Sequence, residues 1–126
     1  MSDAVTLDAF RARLAAAVAG EGPAPVVAQM AFGTGGHTPD GTAKPVDAAR
    51  TSLYAEALRN PVLSVTRPQP GWVEVKGVLA ESDLVGQTLS EAALVDAGGQ
   101  LIAMKTFAPK AKEADERIEI TITLRF

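Results

Sequence analysis

The one histidine of the chain, His37, stands three residues before Asp40 and five before Thr42. That spacing would let an imidazole act as a general base, with the Asp40 carboxylate orienting it. A metal here would need further ligands, and Asp and Glu would have to supply them, because the sequence holds no cysteine. The missing cysteine also removes a disulfide framework, a thiolate metal site and a cysteine nucleophile. Ser52, Ser64, Ser82 and Ser90 offer hydroxyls, but none sits in Gly-x-Ser-x-Gly or beside a plausible base. Glu56 and Glu91 read most simply as solvated or paired surface carboxylates. The run Gly33-Thr-Gly-Gly-His-Thr-Pro-Asp-Gly-Thr42 has four glycines in ten residues. It lacks the Gly-Lys-Ser/Thr of a phosphate-cradling loop, and no helix opens directly after it as a dinucleotide fingerprint requires. The plainer account is a surface loop whose glycines permit positive φ and whose histidine is hydrogen-bonded locally. No residue is therefore assigned to catalysis, to a cofactor or to a metal.

The elements around this loop follow from periodicity. Leu7, Phe10, Leu14 and Val18 recur at helical spacing after Thr6, a sensible N-cap, with Asp8 in the first turn and Gly20 closing the helix. Val26 to Phe32 is a short apolar run between turn signals and reads as a strand. Beyond the loop, Asp47 followed by Leu53, Tyr54, Ala57 and Leu58 suggests a second helix, ended by Asn60-Pro61. Val62–Val65 and Val73–Leu79 flank Arg67–Gly71 as a hairpin, with Trp72 at the entry to the second arm as a core or interface aromatic. Ala92–Val95 and Leu101–Phe107 flank the turn Asp96-Ala-Gly-Gly99 as another. The charged stretch Pro109–Glu116 reads as an exposed linker. Ile118, Ile120, Ile122, Leu124 and Phe126 then alternate with polar residues, the clearest period-two strand in the chain. The expected architecture is α+β: two N-terminal helices packed on a mainly antiparallel sheet, in a single domain spanning residues 1–126.

Composition bounds the function. With 126 residues, 47% of them apolar and 21% charged, the chain can bury one core and is not disordered. A net charge of −3 and a pI near 5.1 argue against nucleic acid or an anionic membrane as a bulk-charge partner. The opening MSDAVTLDAF lacks the basic and apolar regions of a signal peptide, and Leu14–Val18 is far short of a membrane span, so synthesis in a cytoplasm is expected.

The order of segments resembles a known family. Gln29-Met30-Ala31-Phe32-Gly33 precedes a glycine-rich loop with Thr38-Pro39. Next come Thr51-Ser52-Leu53-Tyr54 and Ala57-Leu58, a hairpin, and Leu89 to Ala103. This is similar to the N-terminal module of phage tail-collar fibre proteins of Mu- or P2-like contractile tails, with "QMAxGxG…TP", "TxLxxExxR" and "xExGLxDxxGxLIA" segments. Glu91, Leu94, Asp96, Gly99 and Leu101-Ile102-Ala103 fit the last in register. Where the family usually carries a Gly-aromatic pair, this chain has Gly86-Gln87-Thr88-Leu89.

The resemblance implies a structural virion protein of the tail, made in the host cytoplasm and joining the baseplate to a tail fibre or receptor-binding protein. It implies other tail proteins as partners and a homotrimer in the assembled tail. Because the sequence stops after one module, a detached adaptor is expected and not a complete fibre. Gly33, Gly35, Gly36, His37, Thr38, Pro39 and Asp40 are the candidate contacts with a neighbouring virion protein, since a long loop fixed at both ends is uncommon unless functional. A second possibility is a self-associating module with Leu53, Tyr54, Leu58 or Trp72 as apolar anchors. A third is a small enzyme or ligand-binding domain centred on His37, Asp40 and Thr42.

Overall fold

The computed structural model describes residues 4–126. In chain order the elements are β1 (Val5–Thr6), α1 (Asp8–Val18), β2 (Val27–Gly33), β3 (Glu56–Pro61), β4 (Ser64–Thr66), β5 (Trp72–Leu79), β6 (Thr88–Asp96), β7 (Leu101–Ala111) and β8 (Ile118–Arg125). They form a five-stranded sheet, β1-β7-β6-β2-β3, and a three-stranded sheet, β4-β5-β8. All pairings are antiparallel.

This corrects the expectation of two helices on one sheet: among the described residues α1 stands alone, and the domain is mainly β. Residues 46–58 fail to form the second helix for identifiable reasons. The Asp47 carboxylate accepts the Ala49 amide at 2.9 Å, and Arg50 N donates to Asp47 O at 3.0 Å, which closes a single turn. The Tyr54 and Ala55 amides are claimed by the Glu91 carboxylate on β6. Leu58 then pairs with Phe32 as β3 joins β2. The helical spacing of Leu53, Tyr54 and Leu58 is real, but tertiary hydrogen bonding overrides it.

The helix that does form differs in detail. Its N-cap is Leu7, with no side-chain cap, because Thr6 is already paired to Ala103 in the sheet. Gly20, at φ +79°, closes it as expected. Leu7 and Phe10 are buried, whereas Val18 points to solvent.

The large sheet is covered on both faces. Phe10, Met30, Phe32, Val75, Leu79, Leu94, Ile122 and Leu124 share the core between the two sheets. On the opposite face Ala31, Ala93, Val95 and Met104 pack under Leu7 and Leu53, with Val46 and Tyr54 alongside. Burial on both faces explains why MAF, AALV and LIAM read as continuous apolar runs and not as alternations. The 46–54 segment is thus a lid on the sheet. At the crossing of the sheets Gly77 faces Met30 so closely that an added Cβ would lie 2.8 Å from Met30 Cβ.

The charged stretch at 109–116 is also corrected. Strand β7 runs on to Ala111, and Lys112 is buried, its ammonium donating to the Glu81 and Glu113 carbonyls at 3.1 and 3.2 Å. The final strand is as expected, β8 pairing with β5 along its length.

Gly77→Ala is expected to destabilise the domain by about 1–3 kcal/mol through overpacking. Gly22→Ala, whose added methyl would meet nothing within 4 Å, is expected to change stability by less than about 0.5 kcal/mol. Urea unfolding of both variants checks the contrast.

Candidate functional site

The glycine-rich segment is a small hairpin with a fixed root and an exposed tip. Its root rests on Ser90 and Glu91 of β6, both fully buried. Glu91 Oε1 accepts the Tyr54 amide at 2.8 Å, and Oε2 accepts the Gly35 amide at 3.1 Å and the Ala55 amide at 2.7 Å. Ser90 Oγ accepts the Gly36 amide at 2.8 Å and shares a 2.8 Å hydrogen bond with His37 Nδ1. One carboxylate therefore holds three backbone N–H groups from two separate loops that no strand satisfies. A buried charge is tolerable only with such pairing.

The glycines are required by close approach. A Cβ on Gly33 would stand 2.7 Å from Ala55 O, and one on Gly35 would stand 2.9 Å from the Cβ atoms of Tyr54 and Ala55. At Gly36 it would stand 2.9 Å from Glu91 Cβ. Small residues let the loop backbone reach the buried carboxylate and hydroxyl.

Above the root, His37 bridges to Ala43, Lys44 N donates to Gly36 O at 2.9 Å and Thr38 N donates to Thr42 O at 2.8 Å. The tip is closed by Asp40, whose Oδ1 accepts the Thr38 hydroxyl and the Thr42 amide, the latter at 3.1 Å. Those two bonds, the Thr38 hydroxyl first, hold the Asp40 carboxyl below its ordinary value of 3.8. Pro39 and Asp40 are exposed.

The geometry separates the residues of the catalytic reading. His37 turns down to Ser90 while Asp40 turns to Thr38 and Thr42, so they do not form an oriented pair. The Ser90 hydroxyl beside His37 is sealed from solvent and already accepts the Gly36 amide. Among the described residues no group of three or more His, Asp or Glu is placed to hold a metal ion.

Of the proposed apolar anchors, Leu53 is buried on the lid side of the large sheet, and Leu58 packs partly buried against the core between the two sheets. Tyr54 donates its hydroxyl to Pro45 O at 2.8 Å and lies between Lys44 and Arg50, 4.5 and 3.7 Å from its ring centroid. Trp72, half-buried on the other sheet, carries Arg125 at 4.7 Å over its ring. The structure gathers Leu53 and Tyr54 on the lid segment, and places Leu58 on β3 and Trp72 on β5.

Two features of the support escape a reading of the sequence: the role of Glu91, and the Arg13 partner of Asp96, whose place at the β6–β7 turn is as expected. Glu91 is the keystone of the site and not a surface carboxylate. An acid within Leu89–Val95, a strand with apolar residues on both faces, is the available signal. Asp96 accepts the Gly98 and Gln100 amides at 2.9 and 3.0 Å and forms a 3.2 Å ion pair with Arg13. Arg13 also donates to Leu101 O at 2.9 Å, tying α1 to the β6–β7 turn.

Fold and site together define a mainly β structural module whose distinctive residues are spent on holding one hairpin. The family model for the N-terminal region of phage tail-collar fibre proteins matches residues 1–126, and the chain belongs to that family. It is a structural protein of the phage tail fibre and a component of the virion tail. No curated protein matches the chain. No solved structure matches it.

Glu91→Gln keeps the shape but sets an NH₂ against amides that need an acceptor, so a loss of about 2–4 kcal/mol is expected in urea unfolding. The depressed Asp40 value carries a second expectation. Because the folded-state value is the lower one, the tip bonds are present above the ordinary 3.8 and are lost as pH falls through the depressed value. The Thr42 amide resonance is expected to titrate with a midpoint below 3.8.

Proposed function

We propose that this chain is a connecting module of the tail, joining the baseplate to a fibre or receptor-binding protein, and that the tip Thr38–Thr42 is one of its contact surfaces. The observation that supports this is the division of labour within one hairpin. Gly33, Gly35, Gly36 and His37 are consumed by the root, where Ser90 and Glu91 fix them. Pro39 and Asp40 stand exposed on a tip closed by its own hydrogen bonds.

A loop held in one conformation before binding loses less entropy on association than a flexible one. That advantage suits a part that must dock repeatedly in one orientation during assembly. The domain behind the tip is braced on both faces of its large sheet, so force arriving at the tip passes into β6 and the core. Membership of a tail-fibre family gives the setting in which such a part is used.

The tip is the place to test the reading, because its residues can be changed without touching the root. A Pro39→Ser, Asp40→Lys chain is expected to fold with an unchanged circular dichroism spectrum. Its incorporation into tails is expected to fall at least about tenfold relative to the unaltered chain. Normal incorporation of the folded variant would remove the tip from the account.

A further inference from the structure

At the end of β6 away from the hairpin root, a polar cleft of about 270 Å³ opens between α1, the lid segment and the β6–β7 turn. Arg13, Thr51, Ser52, Arg59 and Gln100 supply its polar side chains. The cleft is biased toward donors, because arginines have taken carbonyl oxygens of its lining. Arg13 Nη2 donates to Leu101 O at 2.9 Å, Arg59 Nη1 to Gly99 O at 3.0 Å and Arg50 Nε to Ser52 O at 3.2 Å.

Donors remain after those bonds are made. A guanidinium carries five N–H groups. Arg13 directs Nη2 to Leu101 O and to the ion pair with Asp96, and its Nε and Nη1 have no partner among the described residues. That Nε is also buried, a state that costs free energy until an acceptor is supplied. Arg59 directs Nε and one Nη2 hydrogen to Glu56 and one Nη1 hydrogen to Gly99 O, which leaves one N–H on each terminal nitrogen. The Thr51 and Ser52 hydroxyls and the Gln100 side-chain amide make no hydrogen bond among the described residues. Neither Asp96 nor Glu56 lines the cleft. Arg50, whose Nε holds Ser52 O, is in no ion pair among the described residues and adds one uncompensated positive charge beside it.

We propose that this cleft receives a side-chain carboxylate from a neighbouring polypeptide of the tail, and so forms a contact surface at the far end of β6 from the Thr38–Thr42 tip. A surplus of N–H and O–H donors calls for an acceptor with several lone pairs, and a carboxylate offers them in the plane a guanidinium edge matches. Arg13 and Arg59 each already face one acid, and Arg50 leaves a single positive charge unmet. A singly charged carboxylate is balanced there, and a doubly charged phosphate is not. The polypeptide source follows from the adjoining surface. Arg13 and Gln100 also border a second cleft, of about 560 Å³, whose lining includes Ala16, Pro23, Pro25 and Val26. An acidic residue with an apolar neighbour fills both clefts, which a free carboxylate does not. The inference rests on reading the chain as a connecting module, since such a part needs a second surface besides the tip.

Chemical-shift titration of the full, isotope-labelled chain tests this, with the acetylated and amidated tripeptide Leu-Glu-Leu as the probe. The Thr51, Ser52, Gly99 and Gln100 amide resonances are expected to shift saturably, with a Kd below about 10 mM. The Leu-Gln-Leu counterpart, acetate and inorganic phosphate are each expected to bind at least about tenfold more weakly. Arg59→Gln, and separately Thr51→Val with Ser52→Ala, are expected to weaken the Leu-Glu-Leu peptide at least about threefold, with circular dichroism showing each variant folded. The Pro39→Ser, Asp40→Lys chain is expected to bind the peptide as the unaltered chain does, so a failure of the tip leaves this result standing. No saturable shift of the four amides up to about 50 mM peptide overturns the proposal. Equal binding of Leu-Gln-Leu, acetate or phosphate, or undiminished binding by both folded cleft variants, overturns it as well.

Discussion

One buried carboxylate holds this domain's distinctive geometry together. Glu91 sits in the middle of the most buried strand, where an unpaired charge would cost several kcal/mol. It is tolerated because three backbone amides converge on it, from Gly35 on one loop and from Tyr54 and Ala55 on another. The dependence is mutual. Those amides lie where the chain leaves regular structure and has no ladder partner, and unmet they would be costly as well. The glycines at 33, 35 and 36 are the steric condition for this convergence.

The rest of the fold follows from what must lie on either side of β6. Its small and branched residues alternate between the inter-sheet core and the face beneath the 46–54 lid. A strand covered on both sides cannot be re-registered without driving side chains into the wrong core. Asp96 ends the strand with the turn it caps and reaches Arg13 on α1, so β6 is tied by acids to backbone amides both along its length and at its C-terminal end. The residues that match the family's pattern are largely those that perform these tasks. Glu91 anchors, Asp96 and Gly99 turn, and Leu101-Ile102-Ala103 fills the sheet. In a structural protein of the tail, such residues preserve the shape that the surface loops are built on.

Much of this is legible from residue types and spacing. Strand β2, both hairpins, the first helix and the alternating last strand follow from periodicity and turn chemistry. What is not legible fails for one kind of reason. Leu53, Tyr54 and Leu58 have helical spacing, yet Asp47 closes a turn and Glu91 takes the amides a helix would need. Lys112, in a run of charged residues, is buried because the carbonyls of Glu81 and Glu113 receive it. Glu91 passes for a surface acid on the same grounds. Its partners are backbone groups 36 to 56 residues away, which local pattern does not encode. His37 does lie in the loop its neighbours predict, but its partner is Ser90 and not Asp40.

The central claim is that the two loops are part of the core's cooperative structure because Glu91 holds them. Native-state hydrogen exchange of the Gly35, Tyr54 and Ala55 amides tests it most directly. All three are expected to exchange with the same opening free energy as the β6 amides, since freeing them requires exposing Glu91. Exchange of these amides at loop rates, while β6 stays protected, would contradict the account.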